Sequence, residues 1–476
     1  MLQPFHFVPA LADKTNQMES FCRLRFSSPV ALTLLICATK QAVGQTAVPD
    51  TELPNRWWVS GEIDIIGQHQ PYFRALYSGP NSLPPEKAWS SSRQLTLFAG
   101  LRLTRSTEVL VSVESAVEAG VSRTSDIAGI TNPDAARSPS LGSKPYLARY
   151  MIRQVIGLGS ARTEQNPGPM GLSSDLPQRR LEFRFGKLST ADFFDLNAIG
   201  SESRLQFLNW TTDNNGAYDY AADTRGYTFG ALAEYYDRAW TLRFMEGLMP
   251  TVANGLILDW SIPRSRSENI ELEIRGASLL ARSPTLRLLG YANHAKMGSY
   301  RDAIGNLSAS PGSKPDVAST AKRAALKYGF GINLEQHVTS WLDAYGRWGW
   351  NEGRHESFTC AEANGSISAG VRLMGEKWHR RRDAIGVTVV SNSLSGDHRR
   401  YLQLGGNGFL LGDGDLNYGR EQITAMYYRY YWGRGISISP DIQRIVHPGY
   451  NRDRGPVFVA SLRVHVNIDR TTLGFR

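Results

Sequence analysis

Long runs of alternating polar and apolar residues constrain this chain more strongly than any other feature of its sequence. In an extended strand, successive side chains point to opposite faces, so a period of two sorts the residues into two sides. In residues 94–104 the apolar side contains Leu95, Leu97, Ala99, Leu101 and Leu103. A second run with the same period begins after Thr107, and the pair predicts a β-hairpin with a very short turn.

The length of these runs distinguishes a membrane protein from a soluble one. Similar runs begin at Leu181, Ile270 and Phe458, and several runs reach about nine to eleven residues, which a tilted strand needs to cross a bilayer. Strands of soluble proteins peak near roughly five or six residues. Arg and Glu recur in mid-strand on the polar sides, which suits a barrel lumen, while the apolar sides suit lipid. We therefore predict an all-β fold, a transmembrane antiparallel outer-membrane β-barrel of about 16 strands.

A barrel of this kind has short periplasmic turns and long extracellular loops. Three segments rich in Gly, Pro, Ser and Asn interrupt the strand pattern, and we predict them as extracellular loops: Ser122–Pro145, Gly157–Pro177 and Asn306–Thr320. After the N-terminal region, no stretch holds the roughly 18 to 20 uninterrupted apolar residues that a membrane-spanning helix needs. A closed barrel crosses a membrane without such a stretch.

The N-terminal region has the pattern of a secretory signal peptide. Arg23 and Arg25 precede the apolar run 29–38, and small residues up to Gly44 form a plausible cleavage site. We predict a signal peptide over residues 1–44, with the true start possible at Met18. Residues 45–56 form a short polar stretch, 57–466 the barrel pore domain, and 467–476 a polar C-terminal tail.

Composition and charge exclude several functional classes. The formal charge is +9, which would favour anions slightly, but Lys and Arg are interspersed with acids and form no block typical of nucleic-acid binding. Of the three Cys, only Cys360 follows the predicted signal peptide, which excludes a disulfide framework and a cysteine metal site. Motifs for nucleotide binding, zinc proteases and serine hydrolases do not occur. We predict no enzyme activity, no cofactor, no metal and no nucleic-acid partner.

Six segments carry a resemblance to a known family: Phe185–Asn197, Arg204–Trp210, Asp219–Gly230, Trp348–Gly353, Leu404–Glu421 and Asn451–Pro456. They resemble the carbohydrate-selective porin family of the OprB type, and the matching positions spread from about residue 57 to about residue 466. The resemblance implies a 16-stranded outer-membrane barrel that admits glucose and related mono- and disaccharides by facilitated diffusion. The polar tail after the last strand departs from the family, whose chains usually end on that strand.

A sugar pore needs aromatic faces for stacking, donors and acceptors for hydroxyl groups, and binding weak enough for release. The motifs that resemble the family supply our candidates for solute contact. They are Asp192, Asp195, Asn197, Arg204, Asn209, Trp210, Asp219, Asp223, Arg225, Trp348, Trp350, Asn351 and Glu352. The alternative for Asp219, Asp223 and Arg225 is a structural ladder in the lumen, and for Trp210 and Trp348 an aromatic girdle at the membrane interface.

Two other functional classes remain open. A plugged barrel would bind surface polysaccharide without conducting, and a barrel enzyme would need a lipid-facing Ser–His pair, for which the sequence offers no candidate. The partners expected for a pore are small sugars, outer-membrane lipid and the barrel-assembly machinery, with the chain acting as a monomer or a homotrimer. The expected location is the bacterial outer membrane.

Overall fold

The computed structural model describes residues 56–117, 121, 127–135, 141–164, 168–170, 175–276, 284–309, 312–359 and 361–468. The predicted signal peptide, residues 45–55, most of the predicted C-terminal tail and Cys360 lie outside this part of the chain. The strands within it are β1 (Trp57–Gln70), β2 (Ala88–Arg102), β3 (Thr107–Val117), β4 (Tyr146–Gly157), β5 (Arg162–Glu164), β6 (Asp175–Pro177), β7 (Arg180–Leu188), β8 (Thr228–Tyr236), β9 (Trp240–Gly247), β10 (Arg266–Arg275), β11 (Thr285–Met297), β12 (Lys322–His337), β13 (Leu342–Asn351), β14 (Gly365–Met374), β15 (Ala384–Ser393), β16 (Glu421–Gly433), β17 (Ile436–Val446) and β18 (Val457–Ile468).

Sixteen of these strands form a closed antiparallel barrel. Each barrel strand pairs with its neighbour along the chain, and β1 closes the ring by pairing with β18 as well as β2. Ile63, for example, lies opposite Leu95 on one side and Val466 on the other. The remaining strands, β5 and β6, form a separate two-stranded sheet. The architecture confirms the predicted all-β barrel and its strand number.

The burial of side chains is inverted relative to a soluble protein. On β1 the carboxylates of Glu62 and Asp64 are buried inside the barrel. Ile65, the next residue along the strand, is 47% exposed on the outer surface. Leu97 and Ile270 are likewise about half exposed, at 49% and 51%. A continuous apolar outer face is costly in water and suits the acyl chains of a bilayer. The period-two pattern therefore separates a lipid-facing surface from a polar lumen.

The connections differ sharply in length between the two ends of the barrel. One end has short turns, such as residues 103–106, 237–239, 338–341 and 434–435. The other end has long connections, among them 71–87, 118–145, 189–227, 298–321 and 394–420. The segment between β4 and β7, residues 158–179, lies at the short-turn end, because it joins those strands on the same side as 103–106. The prediction that Gly157–Pro177 is an extracellular loop is therefore wrong, because this segment lies at the short-turn end of the barrel.

The last strand is longer than the sequence pattern indicates. β18 continues through Asn467 and Ile468, and both residues pair with β1 opposite Glu62 and Gly61. The polar tail therefore starts later than predicted. The helices in the described residues are short, namely Trp210–Asp213, Tyr300–Gly305 and Gly396–Gln403, and none has the length and apolarity to span a membrane.

The long connections form a packed layer of their own at one end of the barrel. A buried cluster there contains Tyr300 from 298–321, Tyr401 and Leu411 from 394–420, and Tyr450 from 447–456. Each of these side chains is at most 1% exposed. Apolar burial of this kind fixes the shape of the connections that surround the entrance to the lumen.

Candidate functional site

The connection between β7 and β8, residues 189–227, folds back into the barrel, and we call it the inward loop. On β13, Arg347 donates hydrogen bonds to the carbonyl oxygen of Asp195 at 2.8 Å and to Ser201 Oγ at 2.7 Å. On β15, Asn392 donates to Thr211 Oγ1 at 3.2 Å. Buried side chains of the wall thus satisfy polar groups of the loop, as burial away from water requires.

Strands on the other sides of the lumen hold the same loop. Arg463 on β18 donates to the carbonyl oxygen of Gln206 at 2.8 Å. Arg149 on β4 donates two hydrogen bonds to the carboxylate of Asp192, at 2.7 and 2.8 Å. Because β4 and β13 are nearly opposite in the strand order of the closed barrel, the inward loop crosses the lumen from wall to wall.

Two glycines provide a seat for the loop. Gly331 and Gly349 are paired across β12 and β13, and the side chain of Asn215 rests on them. A Cβ atom on Gly331 would lie 2.8 Å from Asn215 Nδ2, and one on Gly349 would lie 2.5 Å from Asn215 Cγ. Glycine at both positions lets the loop backbone approach the wall closely.

The space left beside the inward loop is a cavity of about 610 Å³, which we call the lumen cavity. Its lining includes Phe409 and Leu410 from the long-connection end and Met170 from the short-turn end. The half-buried ring of Trp210 on the inward loop forms part of the same lining. The cavity therefore reaches toward both ends of the barrel.

Carboxylates outnumber guanidinium groups around the lumen cavity. Four arginines line it, namely Arg149, Arg204, Arg225 and Arg287. Six acids line it, namely Asp134, Asp192, Glu202, Asp213, Asp223 and Glu335. The net positive charge of the whole chain is thus a poor guide to the charge that a solute meets in the lumen.

Most of these charges are held in ion pairs. Arg204 pairs with Glu62 and with Asp64, the latter at 3.6 Å, and so ties the inward loop to β1. Arg149 also contacts Glu114 at 3.3 Å, in addition to Asp192. Paired charges keep the lining polar and fix the positions of donors and acceptors.

A belt of alternating arginines and glutamates continues this pattern along the wall. It crosses nine neighbouring strands, β2 to β4 and β7 to β12, and each member is ion-paired with the next. The members in order are Arg102, Glu108, Arg153, Glu182, Arg184, Glu234, Arg243, Glu273, Arg287 and Glu335. The polar mid-strand residues of the sequence pattern are therefore a connected lattice of fixed charges.

One lining carboxyl on the inward loop titrates near neutral pH. Burial, reinforced by the carboxylate of Glu202, raises the pKa of Asp213 to about 7. Asp213 Oδ1 accepts backbone hydrogen bonds from Glu202 at 2.8 Å and Ser203 at 2.9 Å, which act in the opposite direction. The charge of the inward loop therefore changes around pH 7.

These features are those of a porin, a barrel narrowed by a loop that folds into its lumen. A family model described as carbohydrate-selective porin, OprB family, matches residues 95–468. The chain belongs to this family. The match confirms the resemblance carried by the sequence motifs, and both family and fold are those of channel proteins rather than enzymes.

A solved OprB structure has the same fold, and two other solved structures give lower scores. The high-pH structure of Pseudomonas putida OprB gives a TM-score of 0.61 at 15% identity, over 86% of this chain and 94% of that chain. The outer membrane channel DcaP of Acinetobacter baumannii gives 0.47 at 8% identity, over 87% and 97% of the two chains. A mutant of Rh. blastica porin gives 0.42 at 9% identity, over 87% and 100%. Comparison with curated proteins gives no match.

The structure divides the predicted solute-contact residues of this porin into three groups. The first group lines the lumen cavity and consists of Asp192, Asn197, Arg204, Trp210, Asp223 and Arg225. All six belong to the inward loop. These six are the members of the predicted set that line the lumen cavity, and their contact with a solute stays a prediction.

The second group supports the inward loop and the connections around it. Asp219 accepts hydrogen bonds from the backbone of Phe358 and Thr359 and pairs with the fully buried Lys327 at 3.0 Å. The other members are Asp195, Asn209, Asn351 and Glu352, and each of these side chains hydrogen-bonds to protein backbone. Their polar atoms are used within the fold.

The third group consists of Trp348 and Trp350, whose prediction as pore residues is wrong. On β13 their neighbours Arg347 and Asn351 are buried inside the barrel, so the period of two places both Trp residues on the outer face. They are 45% and 38% exposed, and both rings contact Phe330 on β12. They form an aromatic patch on the lipid-facing surface, in keeping with the alternative of a girdle.

Several lining residues were missed by motif-based prediction. Arg149, Arg287 and Glu335 lie on the inward faces of β4, β11 and β12. The alternation that predicts the barrel also indicates the inward faces of β11 and β12, so the sequence held a signal for Arg287 and Glu335. Asp213 and Phe409 lie in irregular connections, where no periodicity marks a side chain as inward.

Proposed function

We propose that this porin lies in the bacterial outer membrane and allows passive, substrate-selective diffusion of mono- and disaccharides through its polar lumen. The observation that carries the proposal is the lumen cavity. It lies inside a closed barrel, extends toward both ends, and combines the Trp210 ring with fixed charged groups of the inward loop.

The lining has the chemistry that a pyranose ring requires. The Trp210 face suits the apolar C–H surface of the ring, while the ion-paired Asp192 and Arg204 offer acceptors and donors to hydroxyl groups. Because these charges are already paired, a sugar competes with existing contacts and binds weakly. Weak binding permits release, which conduction needs. Diffusion down a gradient requires no catalytic step and no cofactor.

Export and assembly complete the proposal. The predicted signal peptide would deliver the chain across the inner membrane, and the barrel-assembly machinery would insert it into outer-membrane lipid. The oligomeric state, a monomer or a homotrimer, stays a prediction.

Planar-bilayer recording of the purified porin tests the function. We expect open channels whose ion current is reduced reversibly by mono- and disaccharides added to the bath. Trp210→Ala should weaken this block by about threefold to tenfold, the effect of losing an aromatic contact. Trp348→Ala is the matched control, because the same substitution on the outer face leaves the lumen unchanged.

Two results would count against a sugar pore. An absence of channels, together with binding of polysaccharide at the surface, would favour the plugged barrel. Open channels that no mono- or disaccharide blocks, and through which liposomes take up no sugar, would leave a pore without the proposed substrate class.

A further inference from the structure

A second cavity lies among the long connections at the end of the barrel. Its volume is about 400 Å³, and we call it the vestibule cavity. Four connections contribute to its lining, 248–265, 298–321, 352–364 and 394–420. It lies at the loop end, away from the ion-paired belt described above.

The vestibule cavity and the lumen cavity share one wall. Phe409 lines both of them. Adjacent residues of the same connection are divided between the two, since Gly408 faces the vestibule cavity and Leu410 the lumen cavity. The same division separates Ala253 from Asn254. Phe409 therefore lies where the two cavities adjoin.

The segment that carries Phe409 is firmly held. The carboxylate of Glu362 accepts backbone hydrogen bonds from Leu410 at 2.8 Å and Leu411 at 2.7 Å. The side chain of Asn81, from another connection, also donates to two carbonyl oxygens of this segment, those of Gly408 at 3.0 Å and Leu411 at 2.8 Å. The Glu362 carboxylate lies so close to Gly408 that a Cβ atom there would not fit. The backbone around Phe409 is thus held by a built scaffold, and its side chain packs against the buried cluster that contains Tyr401 and Leu411.

The vestibule cavity, like the lumen cavity, is lined by both aromatic and polar side chains. It combines the Phe409 ring with hydroxyl and carboxyl groups, among them Ser357, Glu356 and Asp316. Lys296 is the cationic side chain among its lining residues. Carboxylates accept hydrogen bonds from hydroxyl groups and repel anions, so this lining suits uncharged sugars and amino sugars better than sugar acids.

We propose that the vestibule cavity is an entry subsite in which an uncharged sugar or an amino sugar binds first, and that Phe409 is the shared stacking surface over which it passes to Trp210. This inference rests on the proposed sugar-pore function. A subsite in series at the entrance raises the local concentration of solute next to the constriction and so speeds entry from that side. It contributes nothing to entry from the other end.

The test compares the entry of sugar from the two sides of the membrane. Sugar-induced current fluctuations are recorded with glucose, glucosamine or gluconate added to one side at a time, and the association rate is compared between Phe409→Ala and wild type. We expect a fall of about threefold to tenfold for glucose and glucosamine entering from the long-connection side, with unchanged rates from the short-turn side. Tyr72→Ala, which removes an exposed aromatic side chain from another connection at the same end, is the control and should match wild type.

The outcomes separate this inference from the function on which it rests. Equal association rates for Phe409→Ala and wild type from the long-connection side, in channels that glucose still blocks, would overturn the entry subsite and leave the sugar pore intact. Entry of gluconate from that side as fast as glucose would overturn the proposed solute class of the subsite. An absence of block by every sugar in the wild-type channel would overturn both proposals. Circular dichroism and heat-modified gel mobility would establish that the variants fold.

Discussion

Replacing Gly349 with alanine adds a single methyl group under the inward loop. The new Cβ atom would lie 2.5 Å from Asn215 Cγ. Carbon atoms in contact are normally about 3.5–4.0 Å apart, so Asn215 must move by at least about 1 Å. Its surroundings resist this shift, because its backbone N–H donates to Asp195 at 2.9 Å and its side chain accepts from Ala217 at 3.1 Å.

The displacement has a direction and a cost. Since Gly349 belongs to the wall, Asn215 can only move toward the lumen axis, which narrows the passage beside the inward loop. Overpacking of this size costs about 1–3 kcal/mol. We therefore expect Gly349→Ala to lower both the single-channel conductance and the stability of the folded barrel, measured by recording in planar bilayers and by heat-modified gel mobility.

A matched control lies three residues away on the same strand. Gly346 faces outward on β13, and the nearest atom to a Cβ placed there is Ser368 O at 4.0 Å. Gly346→Ala makes the same chemical change in open space, and it should leave conductance unchanged. If the two variants have the same conductance and the same stability, the seat formed by Gly331 and Gly349 does not position the inward loop, and the reasoning fails.

Three further predictions address charge, burial and orientation. Burial raises the pKa of Asp213 to about 7, so this carboxyl is neutral below that pH and ionised above it. The preference of the channel for cations should therefore increase from pH 6 to pH 8, as measured by reversal potentials in a salt gradient. Asp213→Asn should reduce this change. Lys327→Met leaves Asp219 buried without its cation, which should cost about 3–5 kcal/mol in denaturant unfolding, and adding Asp219→Asn should recover part of the loss. Brominated phospholipids should quench a smaller share of the total fluorescence after Trp350→Phe, because this change removes a lipid-facing ring. Trp210→Phe should instead remove emission that these lipids do not quench. Equal effects of the two variants would contradict the assigned faces.

The period of two held more information about the site than the motifs did. Arg347 and Asn351 are polar, so alternation along β13 places Trp348 and Trp350 on the opposite face, toward lipid. The motif that contains them gave no such direction and led to the wrong assignment. Alternation likewise marks Glu335 as an inward residue of β12.

The sequence alone determined the barrel, because alternation is a local property and a run of about ten residues is enough to display it. One further feature depended on counting the strands and pairing them. The end of the barrel at which residues 158–179 lie follows from the parity of the strands before them, and the composition of that segment does not record it.

The site itself was decided by the tertiary structure. Residues 189–227 have no periodicity that marks them as a loop within the lumen, and their course depends on partners such as Arg347 and Arg463, which lie far along the chain. Those partners converge only when β1 pairs with β18 and closes the ring. A local pattern fixes which face of a strand a residue occupies, whereas closure and register fix which faces meet across the lumen.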